Sequence, residues 1–494
     1  MSKKNFIKDF IKICNINKRE IAIKSIISDK YYEITYGNLI NLTKRFAFFF
    51  KKRKIFFNDN IGTLIPNSSE NLISFISSGL LGINFSSISC QSTRHEIETW
   101  LKIYKPKLCI ISDQIEKNKI NIFKKYKIKI LVIKTNGKFD WLNKKKITFK
   151  NKNSGKLFVY TSGTTGKAKL LIMPIKKLWN SGLAFLREYK IPKRQLIFWN
   201  YLPMSYLGGL FNLGIIPLCI GGQIIIDETF NGKTFINFWN TVRQYKINVI
   251  WFLPTIIKGL LELNKNIINN HNIKDLGINF CFLGTAPILQ SLKNKFEKNY
   301  GLKLYENYGL SETTFISVEN EKTKLNIKNY KGKLLKHVKI KFKNVKNKKE
   351  ILVKTPYLYE GFVDSNNKII IAKKNSYFET GDLGYIKKRG VYITGRNKEI
   401  IKKGGYLINL REIEQTVQNI NIVKDVNTIP IKHPFYVESY NLQIVLNSNN
   451  NSKESLKNRF NNILIELISK EKWPENIIFV KKIKKTLSGK NIKH

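Results

Sequence analysis

Short apolar runs alternate with amphipathic stretches along most of the chain. Ile247 to Leu253 is an apolar run broken only at Asn248 and stopped by Pro254, which predicts a buried strand. Ile278 to Leu283 predicts another, ended at Gly284. Ile288 to Tyr300 then carries apolar residues at helical spacing, with Gly301 as its stop. Leu302 to Tyr305 returns as a strand. This strand–helix–strand rhythm predicts an α/β fold with a covered, mostly parallel sheet. The pattern shortens after residue 330. Glu350 to Thr355 and Tyr377 to Thr394 read as strands and hairpins, with a turn at Lys388-Arg389-Gly390. Last come a helix over Arg411 to Gln418, strands over Val426 to Ile431 and Leu442 to Leu446, and a longer helix over Lys453 to Ile468. That segment has the size of a compact α+β domain.

The most apolar stretch is Gly208 to Ile226. Its glycines, Asn212 and Pro217 would expose backbone that lipid cannot satisfy, so it reads as a buried helix-to-strand crossover and no membrane span is expected. Met1-Ser2-Lys3-Lys4 is followed by a mixed polar stretch, so no targeting segment is expected either.

Composition narrows the class. With 494 residues, 43% hydrophobic, the chain can hold several domains and is no disulfide-stapled miniprotein, peptide hormone or pure coiled coil. Five cysteines, at 14, 90, 109, 219 and 281, form no C-x-x-C pair. A zinc knuckle or disulfide framework is not expected, and a reducing, cytoplasmic setting fits. The net charge of +52 suggests nucleic acid at first. Yet the basic residues are spread evenly, and only 11 of the 87 are arginine, the residue that reads bases and phosphates by a bidentate fork. Lys, Asn and Ile share A/T-rich codons, so the charge reads as compositional drift and no specific nucleic-acid partner is expected. A positive field would still attract small polyanions such as nucleotides.

One loop carries candidate chemistry. Lys156 to Tyr160 and Leu170 to Met173 read as strands, and between them lies Thr161-Ser162-Gly163-Thr164-Thr165-Gly166-Lys167-Ala168-Lys169. Two glycines allow close backbone approach, and hydroxyls, amides and lysines can cradle phosphate. The spacing is not that of a Walker A loop. A polar hairpin turn is the plainer alternative.

This loop resembles the phosphate-loop signature of the adenylate-forming superfamily, which includes acyl-CoA synthetases, peptide-synthetase adenylation domains and luciferases. Further segments resemble that superfamily's motifs in order: Tyr305-Glu306-Asn307-Tyr308-Gly309-Leu310-Ser311-Glu312, Glu350-Ile351-Leu352-Val353 with Pro356 and Gly361-Phe362, and Tyr377 to Gly384 around Thr380-Gly381-Asp382. Gly395 to Lys402, with Gly404-Gly405 and Glu412-Ile413-Glu414, resembles the hinge block, and Lys485 to Lys490 the terminal motif. Pro66 to Glu70 and Gly284-Thr285-Ala286-Pro287 are weaker matches. Ala168, Leu170, Lys349, Leu410 and Lys484 depart from the usual residues, and none of these removes a side chain expected to do chemistry.

The resemblance implies a large multi-subdomain N-terminal body over 1–395, with mostly parallel sheets and a β-rich subdomain, and a small mobile α+β C-terminal domain over 396–494. It implies an AMP-forming ligase. A carboxylic acid and ATP give an acyl-adenylate, and a thiol then displaces AMP. CoA is the favoured acceptor and the phosphopantetheine of a carrier protein the rival; a basic binding protein on a degenerate adenylation fold is the remote alternative. Thr161, Ser162, Gly163, Thr164, Thr165, Gly166 and Lys169 would hold the β- and γ-phosphates. Thr285, Ala286, Tyr308 and Gly309 would hold the nucleotide, with Tyr308 against adenine. Asp382 would accept hydrogen bonds from the ribose hydroxyls, with Arg396 nearby. Ser311 would reach the α-phosphate, Glu312 and Thr161 would hold Mg²⁺, Lys490 would bridge the two reactants, and Lys398 would be the hinge. Tyr206, in a segment where the superfamily often has His, joins Phe211, Trp251 and Gly284 as expected pocket walls. None of the five histidines, at 95, 271, 337, 433 and 494, sits in a recognisable triad setting.

Overall fold

The computed structural model describes residues 5–27, 30–147, 153–161, 169–263, 273–284, 288–345, 348–373, 375–396, 400–447 and 453–483. Three sheets organise them. In the first, the strands Ile21–Ile27, Gln223–Ile226, Ile197–Asn200, Val249–Phe252, Phe280–Leu283 and Leu304–Leu310 lie parallel in that order. Their burial is near complete on both faces, as a covered parallel sheet requires. The helix Gln290–Tyr300 closes on Gly301 in the left-handed region, where the sequence places its stop.

The β-rich part forms no separate sheet. Leu304–Leu310 pairs antiparallel with Thr314–Val318, and Tyr330–Leu334, Gly390–Arg396, Phe378–Lys387, Lys348–Lys354 and Lys339–Val345 extend the same sheet to thirteen strands. Lys388 and Arg389 both have positive φ, the geometry of a two-residue hairpin turn.

The second sheet has eight strands, and Asn60–Leu64, Asn84–Ser87, Leu108–Ser112, Lys156–Thr161 and the edge strand Lys129–Ile133 run parallel. Helix Arg94–Tyr104 packs beside it, started by a capping box. Thr93 Oγ1 accepts the Glu96 N–H, and Glu96 Oε2 accepts the Thr93 N–H at 3.0 Å.

The third sheet begins at Ile400–Lys403 and has five strands, with the helices Leu410–Gln418 and Lys453–Leu467 against it. It has its own core, built on Ile413, Val417, Leu442, Phe460 and Leu464. The Gly208 to Ile226 stretch is a buried π-helix, Gly208–Ile215, a short α-turn and the strand Gln223–Ile226. Among the described residues no helix is long and apolar enough to cross a membrane. The cysteines are free.

Candidate active site

The expected phosphate loop is a strand–loop–strand unit. Lys156–Thr161 and Lys169–Pro174 pair antiparallel, with Thr161 opposite Lys169. Residues 162 to 168 lie outside the described residues, as do Thr285, Ala286, Lys398 and Lys490. Lys169 is half-buried. Its Nζ stands 4.0 Å from Glu312 Oε1 and over the Phe362 ring. The end of one motif therefore touches the carboxylate of the next.

A second convergence links strands far apart in sequence. Tyr308 lies in Leu304–Leu310, and its hydroxyl donates to Asp382 Oδ2 at 2.8 Å. Asp382 is held by its own N–H on Thr380 Oγ1, while the Gly381 N–H reaches Glu350 Oε1 at 2.8 Å. Gly381 has φ +73°, a conformation that favours glycine. Asp382 and Arg396 are direct partners across Phe378–Lys387 and Gly390–Arg396.

Beside these groups opens a cavity of about 440 Å³. Asn307, Gly309, Leu310 and Ser311 form one wall, and Tyr201, Tyr206, Phe211, Phe230 and Phe315 much of the rest. Tyr308, Glu312 and Asp382 flank it without lining it. The π-helix shapes its floor, placing Phe211 and Asn212 on the wall. Two of its carbonyls, on Gly209 and Leu213, are satisfied by the buried Asn200 amide at 3.0 and 3.2 Å. A Cβ on Gly209 would meet the Leu202 and Pro203 carbonyls at 2.5 Å, so only glycine fits there.

Two expected walls are corrected. Trp251 does not line the cavity. It is fully buried behind Phe315, its ring 5.9 Å from that ring and 5.0 Å from Phe282. Gly284 does not line it either. A Cβ there would meet Asn307 Oδ1 at 2.5 Å, so the glycine makes room for Asn307, which does.

The C-terminal unit closes over the same cavity. Lys402 to Leu407, with Gly404 and Gly405 at φ +57° and +92°, and Lys470 to Lys472 line it from the other side. Tyr206 meets Tyr406 edge-on at 5.5 Å, and burial pushes the Tyr206 hydroxyl up to about 12. Lys472 Nζ sits 2.6 Å from Glu96 Oε1. Glu412 faces the same lysine, and burial raises its carboxyl to about 7.

The AMP-binding enzyme family matches residues 14–363 of the chain. The protein belongs to the AMP-binding enzyme family. Curated relatives include a sulfoacetate–CoA ligase of Cupriavidus necator, 25% identical over 307 residues, 59% of this chain and 57% of the relative. A 4-coumarate–CoA ligase-like protein of Arabidopsis thaliana is 25% identical over 69% of this chain and 60% of its own length. The matches thus span well under two thirds of these relatives. Among solved structures, the o-succinylbenzoate CoA synthetase of Bacillus subtilis superposes with TM-score 0.82 at 18% identity, covering 98% of this chain and 97% of that one. An amide bond synthetase of Marinactinospora thermotolerans gives 0.83 at 16%, covering 98% of each. These AMP-binding enzyme folds share the body and the C-terminal domain.

The donor set suits a metal carried by its nucleotide. No cluster of three or more metal-ligating side chains occurs among the described residues. One hard carboxylate, Glu312, stands beside Lys169 at the phosphate-loop end, which fits Mg²⁺ ligated mainly by phosphate oxygens. The sequence reading missed Glu96, Tyr406 and Lys472. The capping-box spacing Thr93-x-x-Glu96 was readable, but nothing in it points to a lysine 376 residues away.

Proposed function

We propose that this AMP-binding enzyme is an ATP-dependent carboxylate–thiol ligase. In the first step a carboxylate oxygen attacks the α-phosphorus of ATP and pyrophosphate leaves. In the second the thiol sulfur attacks the acyl carbon, its proton goes to solvent, and AMP leaves. Such chemistry needs positioning and charge neutralisation more than acid–base groups. The observation that carries the reading is one cavity bordered by Ser311, beside the Lys169–Glu312 contact and the Tyr308–Asp382 hydrogen bond, and faced by the Gly404-Gly405 turn.

The 162–168 loop and Lys169 bind the β- and γ-phosphates, with Thr161 at its start. Ser311 orients the α-phosphate, and Lys490 bridges it to the carboxylate. Asp382, fixed by Tyr308, takes the ribose hydroxyls with Arg396 beside it. Thr285, Ala286 and Gly309 border the nucleotide. Glu312, with Thr161, would hold Mg²⁺, whose charge offsets that of the phosphates. Residues 396–494 act as a cap that turns about Lys398 between the two steps.

The acid is a monocarboxylate with an uncharged tail. No charged side chain from the body lines the cavity among the described residues; its body walls are aromatic, aliphatic or neutral polar. A second anionic group there would lie buried without a body counter-charge, a large cost. CoA is the acceptor, since the turn and the lysines 402, 403 and 470, which outnumber Glu471 there, give a thiol with a polyanionic handle a basic entrance.

The test is ATP–pyrophosphate exchange across fatty, aryl, amino and dicarboxylic acids. Exchange with apolar monocarboxylates and not with dicarboxylates is expected. Exchange with none of them overturns the ligase reading. Transfer to a holo-carrier protein in preference to CoA would move the acceptor to the rival reading.

A further inference from the structure

Two rigid groups meet across the seam between the body and the C-terminal unit. On the body side is Glu96. Its Oε2 is committed to the Thr93 N–H within the capping box, so the carboxylate cannot swing. That leaves Oε1 aimed outward, where Lys472 Nζ meets it at 2.6 Å and Ser469 Oγ at 3.4 Å. On the other side, Lys472 ends the short turn Lys470–Lys472. That turn is tied to its own unit by the Tyr440 hydroxyl on the Lys472 carbonyl at 2.7 Å and by Lys403 Nζ on the Trp473 carbonyl at 2.8 Å.

The pair is largely buried, with side-chain exposures of 14% and 9%. Burial alone would lower the Lys472 ammonium, but Glu96 and Glu412 outweigh it and hold it above its ordinary range. Glu412 Oε2 is buried and accepts no hydrogen bond among the described residues.

We propose that Glu96 and Lys472 are positioning residues, a latch that selects this one orientation of the C-terminal unit over the cavity. A pair that is dry only in one orientation has a two-state character. Full separation returns both ions to water. A small misalignment keeps them dry and apart, which costs more than either end state. A buried ion pair contributes registry where it adds little net stability. The latch rests on the two-step ligase reading only for its kinetic consequence.

The test uses the full chain carrying spin labels at Lys102→Cys and Lys424→Cys, both exposed and on opposite sides of the seam. Glu96→Gln keeps the capping hydrogen bonds and removes the charge. It is expected to lower the population at the parental distance, relative to the others, by at least about tenfold. Lys472→Met should do the same. The double variant Glu96→Gln with Lys472→Met, read at pH 5, where the buried Glu412 carboxyl is protonated, leaves no lone charge in the seam and should restore the parental distance. Unchanged distances in both single variants, or no restoration in the double, would overturn the proposal. So would loss of the fold in both single variants, which would make the pair a folding element. With any acid that supports pyrophosphate exchange, Glu96→Gln should slow acyl transfer from the adenylate to the thiol about tenfold and leave exchange intact. If no acid supports exchange, the ligase reading fails while the distances still decide the latch.

Discussion

Two buried lysines place the same chemistry in two settings, one inside a folded unit and one between two units. Lys293 lies inside the body at 1% exposure, 2.6 Å from Glu319 and 3.7 Å from Glu306. Lys331 pairs with Glu306, and Lys324 with Glu297 at 2.6 Å. Lys472 likewise faces two carboxylates. Burial works against both ammonium groups, and the carboxylates keep both charged. The difference is in the chain. The Lys293 set falls on neighbouring elements, from the helix Gln290–Tyr300 to the strand Tyr330–Leu334, whereas Glu96 and Lys472 come from units with separate cores. The first network forms when one unit folds. The second joins two units with separate cores, and on the proposed latch it would open without unfolding either.

The widest gap between them should appear in stability. Lys293→Met would leave Glu306 and Glu319 buried beside each other without their shared cation. A loss of about 3–5 kcal/mol is expected, read as a lower urea midpoint. Lys472→Met should move the body's midpoint by less than about 1 kcal/mol, because its carboxylates can reach water when the seam opens. Equal shifts would break the comparison.

The next largest effect separates the two half-reactions. Lys490→Ala should cut pyrophosphate exchange by about 10²-fold, as for loss of one preorganised electrostatic donor, and spare acyl transfer from a pre-made adenylate. Loss of the seam lysine should do the reverse. If both variants impair the same half-reaction, the seam orientation and the adenylating one are not distinct.

A smaller effect concerns pH. Glu412 is raised to about 7 by burial in the closed seam, so closure takes up a proton that the open form, with an ordinary carboxyl near 4.5, has lost. Its neighbours are Lys472 and Glu96, with Tyr160 and Tyr206 on the same lysine. Lys472, Tyr160 and Tyr206 are held above the window and stay as they are through it. Closure should therefore weaken as pH rises from 5 toward 7, by at most about tenfold per pH unit. Distances measured between the two labels in Glu412→Gln should show a flat profile; an unchanged slope would point to another group. Smallest of all, Tyr406→Leu removes the edge contact to Tyr206, worth about 0.5–1.5 kcal/mol, and should loosen the seam a few-fold in the same measurement.

The sequence was most legible where period and stop signals agreed. The strand ended by Pro254, the helix ended by Gly301 and the hairpin at Lys388-Arg389 all fall where the pattern puts them. Of the candidate site, the motif spacings brought Lys169 to Glu312 and Asp382 to Arg396. Trp251 misled because an aromatic residue near a pocket and one behind its wall have the same pattern. Gly284 misled because its lack of a side chain serves Asn307 and not open space. The seam was illegible for a different reason. One lysine among many carries no local signature, and its partner's capping role already accounts for that glutamate.

The π-helix under the cavity has a consequence for how this pocket can change in descent. An extra residue per turn is what a single insertion into an α-helix leaves behind. Removing one residue between Gly208 and Ile215 would restore the tighter winding, at about 100° per residue, so the flanks would keep nearly their places and only side chains within the segment would change facing. Phe211 or Asn212 would then leave the cavity wall and a neighbour would take its place. Pocket shape here can therefore change through chain length in one step, with no substitution among the residues that face the ligand.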